Sequence, residues 1–193
     1  MLLQLLIEHS GEVVTRETIL RTVWGYNVFP TTRTIDNFIL TFRKHFEELV
    51  VGETVFTHKH TVSDADIVNF ANVSGDNFYA HMDATSLEGT IFEQRVAHGY
   101  FVLSKAAGLF VDPKKGPVLL NYGIDEARFT KPVYPGATIG VRFTVKEKID
   151  QEKRSEDDIA KGIVKFLVDV YDETGETVAM ATILTMVRKL DQN

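Results

Sequence analysis

Cysteine is absent from the 193 residues. Without it no disulfide framework, thiolate zinc site, iron–sulfur cluster or thiol nucleophile can be built. A basic excess is lacking too: 21 Lys and Arg stand against 27 Asp and Glu, a net charge of -6. A chain-wide nucleic-acid binder leans the other way, so this balance counts against one. Nor is there a long apolar run, since no stretch approaches the ~18 apolar residues a membrane span requires. The opening MLLQLLI has no basic residue before it, breaks at Glu8 and is followed by no small-residue cleavage site. These absences predict a soluble, cytoplasmic protein. What is present suits a globular fold: 44% hydrophobic and 25% charged residues are enough to bury a core.

The texture of the chain changes near residue 47, which divides it into a segment 1–46 and a domain 47–193. The first segment reads as three helices. Leu2 to His9 is apolar and stops at Ser10-Gly11; Thr15 caps a second helix that Gly25 closes; a third runs from about Thr32 to Glu47. In the third, Ile35, Phe38, Ile39, Phe42 and Phe46 recur at three and four, with Arg33, Asn37, Thr41 and Lys44 on the opposite face. The wording LLIEHSGEVVTRETILRTVWGYN, then TRTIDNFILTFRKHF, resembles the winged-helix output domain of OmpR-type response regulators, with Arg33–Lys44 at its recognition helix. The N-terminal sheet and the β-hairpin wing of that fold are missing. Residues 1–50 carry five Lys or Arg against six acids, a poor start for phosphate contacts. The expectation is a truncated, winged-helix-like helical segment, with nucleic acid not its partner.

The larger part predicts an α+β fold of hot-dog type, an antiparallel sheet wrapped around a long central helix. VFTHKHTV (Val55–Val62) reads as a strand. Ser63 caps a helix from Asp64 to about Asn72, with Asp66 in the capping-box position. An irregular stretch follows, Ser74 to Asp83. The segment from about His98 to Val111 is apolar nearly all round, which predicts a buried helix. Strands are expected at Leu119–Ile124, Ala127–Phe129, Ile139–Lys148, Gly162–Tyr171 and Thr177–Arg188, the last two joined by the turn Asp172-Glu173-Thr174-Gly175. The charged tract between Asp150 and Lys161 is a solvated connection.

Asp76 and His81 lie five apart in the irregular stretch. An acid and an imidazole within reach of one water can activate it. The blander readings are a turn aspartate and a satisfied histidine, and spacing alone favours them. His98-Gly99 begins the buried helix. First-turn amides have no intrahelical acceptor and sit at the positive end of the dipole, so Gly99 N–H suits an oxygen that gains negative charge. Close packing of helix on sheet would also select glycine there. His58 and His60 alternate on a strand, but two imidazoles without a third ligand are weak evidence for a metal, and none is expected.

At these residues the resemblance to a family is plain. Residues 47–190 resemble the MaoC-like, (R)-specific enoyl-CoA hydratases of the hot-dog fold. Phe70, Val73, Ser74, Gly75, Asp76 and His81 fit that family's motif, which would make Asp76 and His81 its catalytic pair and Gly99 its thioester-oxygen donor. Where the general hydratases have Asn-Pro, this chain has Phe78-Tyr79. That variant (NFANVSGDNFYAHMD, with RVAHGYFVLSKAAGLFVDP and GPVLLNYGIDEARFTKPV) is similar to the C-terminal oxepin-CoA hydrolase domain of the bifunctional ring-opening enzymes of phenylacetate breakdown.

The resemblance implies water addition to a cyclic enol-ether acyl-CoA, opening the ring to a CoA semialdehyde. Coenzyme A is then part of the substrate, and no separate cofactor is expected. Phe78, Tyr79, His98 and Tyr100 are the substrate-binding candidates; the three aromatics suit core packing equally well. Lys114, Lys115, Lys131 and Arg142 are candidates for the CoA phosphates that no spacing singles out. The resemblance also implies a homodimer or higher homo-oligomer, and a separate aldehyde dehydrogenase to take the product. The rival readings are a straight-chain (R)-specific hydratase, a thioester-sensing DNA-binding regulator and an inactive thioester-binding module.

Overall fold

A computed structural model describes residues 44–110 and 115–192. The expected helices at 2–9 and 15–24, and most of the one at 32–47, lie outside these residues. So does Lys114.

The fold is an antiparallel hot-dog sheet around one helix. Strands β1 (Thr54–Phe56), β2 (His60–Thr61), β3 (Val118–Phe129), β4 (Thr138–Asp150), β5 (Lys161–Tyr171) and β6 (Thr177–Arg188) form a sheet of order β1-β4-β5-β6-β3, with β2 also on β4. Helices α1 (Asp64–Ser74), α2 (Tyr79–Met82) and α3 (Gly99–Phe110) lie between β2 and β3 in the chain. The strands are legible because Val, Ile and Phe alternate with polar residues. In β5, Gly162, Val164, Phe166, Val168 and Val170 are buried while the residues between them are half-buried, the period of a sheet with one covered face.

α3 lies in the concave face. Phe101, Val102, Ala106, Leu109 and Phe110 are buried, and the rings of Phe110, Phe143 and Phe166 stack in series at 4.2 and 4.5 Å. Its opposite face corrects the expectation of burial all round. Tyr100, Ser104 and Gly108 are exposed, because one sheet offers one face and an apolar helix surface does not create a second.

Three further expectations change. The single strand Val55–Val62 is two short strands. At Thr57 the backbone N–H still bonds Val141 O at 3.0 Å, but Val141 N–H turns to Thr57 Oγ1 at 3.0 Å. That hydroxyl donates in turn to His58 O at 2.8 Å. A side chain has taken over a ladder position, and the strand breaks there. The two strands expected at 119–124 and 127–129 are one, β3, with three shifts of register against β6. One shift falls between Asp125 and Arg128, where Glu126 has φ 55°, a bulge that a pattern of alternation reads as an end. At the start, Lys44 and His45 are not helical and Phe46–Glu48 is one 3-10 turn. Phe46 packs on Gly162, where no side chain would fit.

Two expected caps are present. Ser63 and Asp66 form the reciprocal capping box of α1, and Gly75 ends the helix at φ 77° with its N–H on Ala71 O at 2.8 Å. The Asp172–Gly175 turn closes with Gly175 at φ 88° and Gly175 N–H on Asp172 O at 3.1 Å. Among the described residues no helix is long and apolar enough to cross a membrane.

Thr57 is 1% exposed. Thr57→Val, nearly isosteric, leaves the Val141 N–H buried without an acceptor. It is expected to lower unfolding free energy by roughly 1–3 kcal/mol, read as a lower urea midpoint at unchanged slope.

Candidate functional site

The C-terminal end of α1 builds the first part of the site. Gly75 turns the chain in the left-handed region, and Ser74 Oγ donates to Phe70 O at 2.7 Å while accepting from Asp76 N at 3.1 Å. Asp76 therefore leaves the helix with its backbone held and its carboxylate exposed. Within the stretch that the sequence left irregular, Tyr79–Met82 forms the single turn α2, which presents His81 beside Asp76.

Asp76, His81 and His98 each place a potential ligand atom within 4.8 Å of the others. His81 Nδ1 lies 2.6 Å from Val96 O. A carbonyl only accepts, so the proton sits on Nδ1 and Nε2 of the neutral ring keeps a bare lone pair. His98 Nε2 lies 2.9 Å from Asp76 O. By the same reasoning it donates, and the remaining nitrogen, Nδ1, is buried without a hydrogen-bond partner. The two imidazoles stack at 3.8 Å and 28°, with Phe70 at 5.1 Å from His98. Burial, set against the Asp76 carbonyl and joined by the neighbouring His81, holds the His98 pKa below 6.5.

One carboxylate and two imidazoles are a possible metal-ligand set. Each ring has one nitrogen committed to a carbonyl and the other left over, so the same groups can also hold a water. The arrangement suits a hydrogen-bonded water. His58 and His60 are not part of it: His60 Nε2 bonds Asp66 Oδ2 at 3.1 Å.

A cleft of about 350 Å³ begins at His81 and Gly99, within the range of small-molecule sites. Its walls are Ile91, Phe92, Val96, Val102, Phe129, Pro132, Val133 and Val178, with Thr130 and Lys131 among them. Gly99 is the first residue of α3. A Cβ there would fall 2.7 Å from the Phe129 ring, so close packing requires a glycine here.

Phe78, Tyr79 and Tyr100 are not core residues, at 52%, 40% and 70% exposed. Phe78 packs on Tyr79 at 4.4 Å and on His81 at 5.9 Å, and Tyr100 meets Phe129 edge-on at 5.9 Å. They stand around the cleft rather than in its lining. Phe129, Thr130, Pro132 and Val133 were not foreseen as site residues, since nothing in an alternating strand says which end overhangs a helix terminus; of this wall only Lys131 was a candidate, for the CoA phosphates. Two proposed phosphate contacts are already engaged. Lys131 Nζ bonds Asp172 at 2.6 Å and Glu176 at 2.5 Å, and Arg142 Nε bonds Asp169 at 2.8 Å.

Comparison with known proteins follows the same division of the chain. The family model described as MaoC like domain matches residues 46–165, and one described as transcriptional regulatory protein, C terminal, matches residues 1–60. The chain is 53% identical over 119 residues to Protein MaoC of Klebsiella aerogenes, a match covering 62% of this chain and 36% of that protein. It thus spans about a third of that relative's length. It is 30% identical over 112 residues to the (R)-specific enoyl-CoA hydratase of Rhodospirillum rubrum, covering 56% of this chain and 74% of that one. Among solved structures, the monoamine oxidase regulatory protein of Archaeoglobus fulgius superposes with a TM-score of 0.69 at 31% identity, over 77% of this chain and 96% of that one.

The depressed His98 pKa makes a stability prediction. Below pH 6.5 an unfolded chain takes a proton at this residue that the folded ring refuses, so stability is complete above 6.5 and declines as pH falls toward the folded value. His98→Gln is expected to flatten that part of the curve of unfolding free energy against pH; an unchanged slope would show that His98 does not contribute to it.

Proposed function

The chain belongs to the MaoC-like dehydratase family, and from that premise we propose that it hydrates an unsaturated acyl-CoA thioester, with oxepin-CoA as its substrate. The observation that carries the reading is the meeting of Asp76 and His81 at the mouth of an apolar cleft that opens on the first amide of α3.

In this mechanism the acyl group enters the cleft with its thioester oxygen on Gly99 N–H. A water is held between the Asp76 carboxylate and the bare Nε2 of His81. Asp76, the general base, takes a proton from the water as its oxygen bonds the electrophilic carbon at the far end of the conjugated system. The electron pair moves to the thioester oxygen, where the Gly99 amide and the helix dipole stabilise it. Return of the proton to carbon completes the addition. With a cyclic enol ether the adduct is a hemiacetal, which collapses to a ring-opened CoA semialdehyde. Coenzyme A enters as part of the substrate, and no further cofactor is required. Oxidation of the semialdehyde is a further reaction that this site does not perform.

The oxepin assignment rests on the resemblance of NFANVSGDNFYAHMD and on Phe78 and Tyr79, two exposed rings tilted 50° to each other beside His81. A straight-chain (R)-specific hydration is the second reading, favoured by the Rhodospirillum rubrum relative's name. Two copies of the chain would complete the fold. The bare face of α3 adjoins edge strand β3, where Leu120, Tyr122 and Ile124 are 47%, 43% and 60% exposed. Pairing there covers both, as the resemblance to dimeric hot-dog domains implies.

The test is turnover of oxepin-CoA and of crotonyl-CoA, followed by mass spectrometry. Ring-opened product from oxepin-CoA, with kcat lowered by about 100- to 10,000-fold in Asp76→Asn, is the expected outcome. Turnover of crotonyl-CoA alone selects the straight-chain reading, and full activity in Asp76→Asn removes Asp76 from its role. Ile124→Lys is expected to shift the chain to a monomer in sedimentation velocity.

A further inference from the structure

His98 is 1% exposed, and its position sets a problem. A buried neutral imidazole with an unpartnered Nδ1 costs stability that a phenylalanine or a leucine at the same place would not. The cost is met beside the site. Its Nε2–H holds the Asp76 carbonyl at 2.9 Å, and its ring face supports His81 at 3.8 Å. It also immediately precedes Gly99, the residue that opens α3. One side chain therefore touches two of the three groups the mechanism uses and adjoins the third in sequence.

We infer that His98 is a positioning residue: its single N–H donor and its ring face hold the Asp76 backbone and the His81 imidazole in register with the first amide of α3. The inference rests on the hydration mechanism above for its kinetic consequence, though not for its geometry. Asp76 leaves α1 through a left-handed glycine with its side chain exposed. Among the described residues its carboxylate accepts one long bond, from Phe78 N–H at 3.3 Å, while the tie through the carbonyl joins this residue to the buried His98. His81 is fixed at its edge by Val96 O and at its face by His98. An imidazole pinned at one nitrogen can still swing about that bond; a ring stacked on it prevents the swing and keeps Nε2 aimed at the water.

The donor and the ring face can be separated. His98→Phe keeps the ring and removes the N–H; His98→Gln keeps an N–H donor at similar reach and removes the ring. Displacement of a base by about 1 Å costs on the order of 100-fold in rate. His98→Phe is therefore expected to lower kcat by about 10- to 100-fold with KM little changed, and to be no less stable to urea than the parent. His98→Gln is expected to recover part of the lost kcat through its bond to the Asp76 carbonyl, the remaining loss being the share of the missing ring face. A kcat equal to the parent's in His98→Phe overturns the inference. So does a His98→Gln variant as slow as His98→Phe, or a loss confined to KM.

Nitrogen NMR of the His81 imidazole in the same variants gives a readout that needs no substrate. The Nδ1–H tautomer, set by Val96 O, is expected to persist in both variants, with the His81 ring-nitrogen signals shifted and broadened in His98→Gln, which lacks the stacking ring; an unchanged His81 spectrum in both variants overturns the support of His81. If the parent protein hydrates neither thioester, the functional reading fails, while the His81 spectra still decide whether His98 orders the site.

Discussion

Val96 and Ala97 tie the working end of the molecule together. Val96 N–H bonds Ala80 O at 3.0 Å, Val96 O accepts from His81 Nδ1 at 2.6 Å, and Ala97 N–H bonds Val133 O at 2.8 Å. Both residues are buried, so these bonds cannot be exchanged for water without loss. Through them α2, the 130–133 wall of the cleft and the start of α3 share one node. The imidazole of His81 bonds Val96 O directly, and the amide of Gly99 lies three residues on from Val96 in the chain. Chemistry that depends on fractions of an ångström is thereby placed on backbone rather than on long side chains.

The node is rigid because α3 is. Its buried face interlocks with Phe143 and Phe166, and the strands around it are long, with β4, β5 and β6 paired along nearly their whole lengths. The side of the cleft formed by residues 87–92 is built differently. Leu87 joins only Ala80 and Val96 in a small apolar cluster with Phe92 and Tyr134 against it, and Ile91 is 85% exposed although it lines the cleft. A substrate would thus meet one wall set by the main core and one held by local bonds such as Thr90 Oγ1 to Leu87 O at 2.7 Å. Local opening draws on the second kind of wall.

What could be read from the sequence was what repeats or caps. The alternation in β5 and β6, the Ser63–Asp66 box and the Asp172–Gly175 turn each announce themselves through a local rule, and each is present. Thr57 was illegible because its hydroxyl takes the place of a backbone carbonyl as acceptor for Val141 N–H, 84 residues along the chain, and no local pattern reports such a bond. Glu126 was taken for a break because a bulge interrupts alternation without interrupting a strand. Asp76 and His81 could be picked out as a pair, but His98 figured only as a residue against substrate. Its contacts with Asp76 O and His81 depend on α1 and α3 meeting, a long-range event. Phe78, Tyr79 and Tyr100 show the same limit: an aromatic suits core and rim alike until the surface is known.

The two likenesses of the chain overlap at residues 46–60, and the structure assigns that stretch one use. Phe46 lies against Gly162, Lys44 Nζ bonds Glu53 at 2.6 and 2.7 Å, Lys148 Nζ bonds Leu49 O at 2.8 Å, and Thr54–Phe56 pairs with β4. Withdrawing the stretch to complete a regulator's fold would strip an edge strand from β4 and expose Phe46, Leu49 and Val55, all buried. At roughly 2 kcal/mol for each large apolar side chain, that exchange consumes a large part of the stability of an ordinary domain. Whatever the preceding residues do, the sheet owns the chain from Lys44 onward.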